Sequence, residues 1–105
     1  MKKKDALKEI EDIKNQLIKK YKPEKIILFG SAVWGKDEVR DIDLLIIKSD
    51  TPHRGIDRMR EVDTLVEHNI ALDMLVYKPE EIVERLKMGD PFVKHILENG
   101  RVLYG

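Results

Sequence analysis

The chain has 105 residues, with 20 lysines and arginines set against 20 aspartates and glutamates. That length suits one domain around one core and excludes a catalytic domain plus a separate substrate domain. The 42% hydrophobic content argues against wholesale disorder, the balanced charge argues against a dedicated DNA-coating protein, and the absence of cysteine excludes disulfides, iron–sulfur clusters and thiolate zinc sites.

The start, Met1-Lys2-Lys3-Lys4-Asp5, is basic, but no apolar signal-peptide core follows it. No apolar run approaches the roughly 20 residues of a membrane-spanning helix. A soluble, cytoplasmic protein is expected. Leu7, Ile10, Ile13, Leu17 and Ile18 recur at three- and four-residue spacing, which predicts a first helix that Pro23 stops. Lys25 to Phe29 is rich in β-branched and aromatic residues and ends at Gly30, which predicts a buried strand. Residues 30–40 read as a loop, or a loop with a short helical turn. Asp41 to Ile47 reads as a second strand, apolar on both faces in its later half and therefore central in a sheet.

Ser49 to Gly55 is a connecting loop. Residues 56–69 predict a second amphipathic helix through Ile56, Met59, Val62, Leu65 and Val66. Ala71 to Tyr77 is a third strand. Residues 80–88 give another helix, opened by Pro79 and closed by Gly89. Asp90-Pro91 reads as an N-cap and first-turn proline for a last helix through Phe92, Val93, Ile96 and Leu97. Arg101 to Tyr104 adds a short edge strand. With no repeat, linker or low-complexity tract, the expectation is one α/β domain over residues 1–105.

Two features carry chemistry: Gly30-Ser31 directly after the first strand, and Asp41-Ile42-Asp43 opening the second. Strand residues two apart face the same way, so the two carboxylates sit side by side, their α-carbons about 7 Å apart. Like charges at that range repel by about 2 kcal/mol at an effective dielectric of 20. Either aspartate alone would read as a strand-entry residue. The pair makes sense as a cradle for a hard divalent cation such as Mg²⁺, which takes carboxylate oxygens and binds phosphates at its open positions. Asp73, inside the run Leu72 to Val76, is costly in a strand interior unless a cation or donor compensates it. If its strand lies beside the second, it completes a set of three; an ion pair to an arginine or lysine would serve as well.

Gly30 and Ser31 supply a complement, because glycine admits close approach of a ligand and amides at a turn point at anions. Lys36 and Arg40 are candidates to neutralise phosphate charge, with solvated loop positions as the alternative. Trp34 reads as a pocket wall or a partner-facing aromatic. Gly30 to Lys36 also fits G-x-x-x-x-G-K, but Asp37 stands where a P-loop needs Ser or Thr, and no long helix follows, so that reading is rejected. His53, His68 and His95 lack metal-ligand spacing, and Arg54 and Arg58 read as solvated charges.

Leu28-Phe29-Gly30-Ser31, the ten-residue step from Ser31 to Asp41, Asp41-Ile42-Asp43-Leu44 and the later strand with Asp73 together resemble the minimal nucleotidyltransferases of the DNA polymerase β-like superfamily. The resemblance implies a small mixed sheet flanked by helices. It implies Mg²⁺, one or two ions, on Asp41, Asp43 and Asp73, with Asp73 helping to activate an acceptor hydroxyl. Gly30 and Ser31 would grip the β- and γ-phosphates of an NTP, expected to be ATP. A nucleoside monophosphate would pass to the acceptor with release of pyrophosphate. Small members of the family commonly act as the antitoxin beside a HEPN-type helical toxin, some by adenylylating a tyrosine on it, so such a partner is expected here, or a second copy of the chain. Two departures stand out: Trp34 occupies a position where many relatives carry arginine, and Arg40 one where many carry serine. The rival expectation is a non-catalytic module that masks a toxin by surface contact.

Overall fold

Four apolar side chains at helical spacing, Ala6, Ile10, Ile13 and Leu17, are buried along the first helix, α1 (Lys3–Lys20). Each large one contributes roughly 2 kcal/mol on burial. That outweighs the missing side-chain cap at Lys2, worth about 1 kcal/mol. The helix ends before Pro23, because Lys22 takes a left-handed conformation (φ 56°) and returns its N–H to the Leu17 carbonyl. These elements belong to a computed structural model that describes residues 1–105.

The strands follow as read: β1 (Lys25–Phe29), β2 (Asp41–Ile47), β3 (Ala71–Tyr77) and β4 (Arg101–Tyr104). They form one mixed sheet in the order β3-β2-β1-β4, so β2 is indeed central. β1 pairs antiparallel with β2 and β4, whereas β2 and β3 run parallel, joined by a crossover through α3 (Gly55–Asp63). Between β1 and β2 lies one short turn of helix, α2 (Ser31–Trp34). Its four residues confirm that no P-loop helix follows Gly30.

The period-two alternation divides the strands between two layers. Ile26, Leu28, Ile42, Leu44, Ile46, Met74 and Val76 face α1 and α3, in a cluster of 17 buried residues. On the opposite face Ile27, Phe29 and Leu45 meet Ile82 of α4 (Pro79–Lys87) and Val93 and Ile96 of α5 (Pro91–Asn99), a cluster of only 6. Asp90 caps α5 as expected, accepting from the amides of Phe92 (2.9 Å) and Val93 (3.2 Å). The fold is α/β, a four-stranded mixed sheet flanked by five helices.

The structure corrects two sequence expectations in this framework. The helix expected over 56–69 stops at Asp63, where the Thr64 hydroxyl takes the Glu61 carbonyl, and Val66 reaches the core from the following turn. Its inward face carries Arg58 and Val62, leaving Ile56 and Met59 exposed. Arg58 is therefore not a solvated charge: it is 3% exposed and held by Glu81 of α4 through contacts of 2.6 and 3.1 Å. Its remaining N–H groups go to the carbonyls of Pro52, His53 and Val76.

Candidate active site

α4 and α5 cover only part of their face of the sheet, and the uncovered part holds the acids. Asp41 and Asp43 share that face of β2, and the parallel register sets Asp43 directly beside Asp73 of β3. Carboxylate oxygens of Asp41, Asp43 and Asp73 all lie within 4.8 Å of one another. Three like charges at this spacing repel strongly unless a cation or a proton intervenes. The carboxyl of Asp43 shows the strain: burial, then the charges of Asp41 and Asp73, push its pKa from 3.8 to about 6. Asp73 itself is exposed, because it lies on the part of the sheet face that α4 and α5 leave uncovered, so the cost expected for a buried interior carboxylate does not arise.

Gly30 takes φ +79°, ψ −154° where β1 gives way to α2. That backbone conformation favours glycine, and a β-carbon there would also collide with Oδ2 of Asp43. Ser31 is brought to the same place, its hydroxyl 3.4 Å from Oδ1 of Asp41. The five residues Gly30, Ser31, Asp41, Asp43 and Asp73 thus converge. Lys36 and Arg40 are exposed on the loop between α2 and β2 and form no ion pair with the triad.

One wall was only half visible in the sequence. Phe29, the ladder partner of Asp43, meets the ring of Phe92 edge-on (centroids 5.7 Å apart, 85°). Trp34 lies over His95 of α5 with centroids 4.8 Å apart. Trp34 thus packs against α5 while remaining 46% exposed. The spacing of Phe92 and His95, three apart on one helix, was the available signal. Two clefts of about 540 and 580 Å³ lie around Arg58 and around Tyr21 and Lys48, and neither includes the acids. The triad stands on an open surface.

Hard oxygen donors, gathered by two neighbouring strands and mutually repelling, fit a divalent cation of the Mg²⁺ type. Such a site can align a phosphate ester and neutralise charge that develops on it. No curated protein and no solved structure matches the chain significantly. The family model for polymerase β-type nucleotidyltransferases matches residues 11–105, from within α1 to the end of β4. With the match spanning every strand and the acidic triad, the chain belongs to the polymerase β-like nucleotidyltransferase family.

Proposed function

We propose that this nucleotidyltransferase moves AMP from ATP to a hydroxyl on a partner protein, and that the partner is a HEPN-type helical toxin for which the chain is the antitoxin. The observation that carries the transfer reading is the convergence of Asp41, Asp43 and Asp73 beside the Gly30–Ser31 turn. The three carboxylates would hold Mg²⁺, one ion or two, which supplies charge neutralisation for the phosphates. The chain's own part is positioning. The Gly30–Ser31 turn admits phosphate oxygens close to the backbone, and the half-buried Asp41 and Asp43 fix the reacting end of the nucleotide. The exposed Asp73 is reachable by an acceptor.

In the reaction, the acceptor hydroxyl oxygen bonds to the α-phosphorus and the bond from that phosphorus to the β-phosphate oxygen breaks. Pyrophosphate departs with the bonding electrons. The hydroxyl proton passes to the carboxylate of Asp73. An open surface accommodates a macromolecular acceptor better than a small one, which needs an enclosing pocket.

The second reading, a module that masks its partner without chemistry, draws on the absence of any ion pair from Lys36 or Arg40 to the triad and on Trp34 at a position where many relatives carry arginine. One experiment separates the two. The tagged protein is captured from its native lysate with its partners and given Mg²⁺ and α-labelled ATP, with Asp43→Asn as control. Label on a partner, lost in Asp43→Asn, supports transfer. A stable partner that takes no label from any NTP supports masking.

A further inference from the structure

The side chains of α2 go to three different places. Ser31 reaches Asp41, Ala32 and Val33 join the larger core cluster, and Trp34 lies over the imidazole of His95 in α5. A single turn of helix has no stability of its own, since isolated helices shorter than about 12–15 residues are marginal in water. Gly30 offers no side-chain cap at its start either. The orientation of α2 is therefore set by what its faces and ends touch.

The turn ahead of α2 inherits that orientation. The Gly30 carbonyl accepts from the amides of Val33 (3.0 Å) and Trp34 (3.1 Å), so the peptide joining Gly30 to Ser31 moves with the backbone of Trp34. At the far end the Gly35 amide donates to the Ser31 carbonyl (2.7 Å), and Nζ of Lys3 donates to the Gly35 carbonyl (2.8 Å). A residue of α1 thus holds one side of the short helix. On the other side the fastening is aromatic, with indole and imidazole centroids 4.8 Å apart and their planes at 54°. The imidazole is itself held. An amide nitrogen can only donate, so Nδ1 of His95 accepts from the Asn99 side chain one turn on (3.1 Å).

We propose that Trp34 and His95 are positioning residues for nucleotide binding. Their stack fixes α2 against α5, and through the Gly30 carbonyl it sets the angle at which the Gly30–Ser31 turn meets the acids. The inference rests on the reading that this turn takes the phosphates of an NTP. It extends the site to α5, a helix that supplies none of the acids. Trp34 has no charge to offer a phosphate, so its part is mechanical.

The test is calorimetry with Mg·ATP and with Mg·tripolyphosphate, which has the phosphates without ribose or base. His95→Ala leaves the indole without its partner and should weaken both ligands about two- to tenfold, the contribution of an aromatic pair. Trp34→Ala should weaken both by a similar factor, and the double variant should be no weaker than either single one. His95→Phe keeps a ring beneath the indole and should bind like the wild type. In transfer assays, KM for ATP should rise by more than kcat falls. Trp34 is the only tryptophan, so its emission reports in each His95 variant whether the stack is intact. Both side chains are largely exposed, and His95→Ala with His95→Phe carries the test alone if Trp34→Ala fails to fold.

A loss of Mg·ATP affinity with Mg·tripolyphosphate affinity unchanged would mean that the pair touches the nucleoside, and overturns the proposal. Additive losses in the double variant, wild-type affinity in a folded His95→Ala, or a folded His95→Phe as weak as His95→Ala would overturn it too. Failure of the wild type to bind Mg·tripolyphosphate is a separate result: it removes the reading of the turn as a phosphate grip, and this inference with it.

Discussion

The protein treats charge in two opposite ways at the two ends of β3. Near its C-terminal end, Arg58 is almost wholly buried, yet every N–H group of its guanidinium has an acceptor. Near its N-terminal end, Asp73 joins Asp41 and Asp43 in a cluster whose only side-chain donor is the Ser31 hydroxyl. A charge answered by the fold ties elements together: Arg58 joins α3, the loop before it, β3 and α4. A charge the fold leaves unanswered destabilises the free protein.

The contrast can be broken most sharply at the acids. Asp41→Asn with Asp43→Asn should reduce transfer by well over about a hundredfold, beyond the 10- to 100-fold typical of losing a residue that merely supports a metal ligand. Thermal unfolding without metal should show the double variant at least as stable as the wild type. At the other end the sign reverses. Arg58→Met leaves Glu81 and three carbonyls without their donor, and urea denaturation should show a loss of about 3 kcal/mol.

Gly30→Ala is expected to sit between these extremes. The strained backbone and the collision with Asp43 should cost about 1–3 kcal/mol. Mg²⁺ affinity, measured by calorimetry, should fall in parallel as the carboxylate is pushed aside. The smallest effect is a pH dependence. Because the folded pKa of Asp43 is raised from 3.8 to about 6, its contribution to stability is full below pH 3.8 and lost as pH rises through 6. Glu24 and Glu81 have lowered pKa values, so their contributions are lost only on acidification below the usual glutamate range. Between pH 5 and 7 the metal-free wild type should therefore lose melting temperature relative to Asp43→Asn, and excess Mg²⁺ should restore it.

Much of this was legible in the residues. Asp41 and Asp43 announce themselves because a period of two is a property of any strand, and Gly30-Ser31 because a strand ended by glycine needs a reason. Asp73 was found by its type and misjudged in its surroundings, since a run such as Leu72 to Val76 looks the same on a covered as on an uncovered part of a sheet face. Arg58 was missed outright. Its partner lies 23 positions away on another helix. The apolar residues Ile56 and Met59 also advertised an inward face that the helix does not use. The i, i+3 rhythm that carried the expected helix on to Val66 survives as a turn still packed on the core. Local pattern sets the elements; which of their faces turns inward depends on partners distant in sequence.

The unequal thickness of the two layers has a consequence for motion. α1 and α3 cover their face of the sheet over 17 buried residues, whereas the α4–α5 layer rests on 6. Regions with less buried apolar contact open at lower free energy. Amide exchange should therefore be faster in α4 and α5 than in the core-facing turns of α1. The start of α5, where Phe92 meets the Phe29 ring beside Asp43, would then open more readily than the strands that hold Asp41 and Asp43. The thicker layer keeps the carboxylates in register, and the thinner one is the side of the sheet expected to open first.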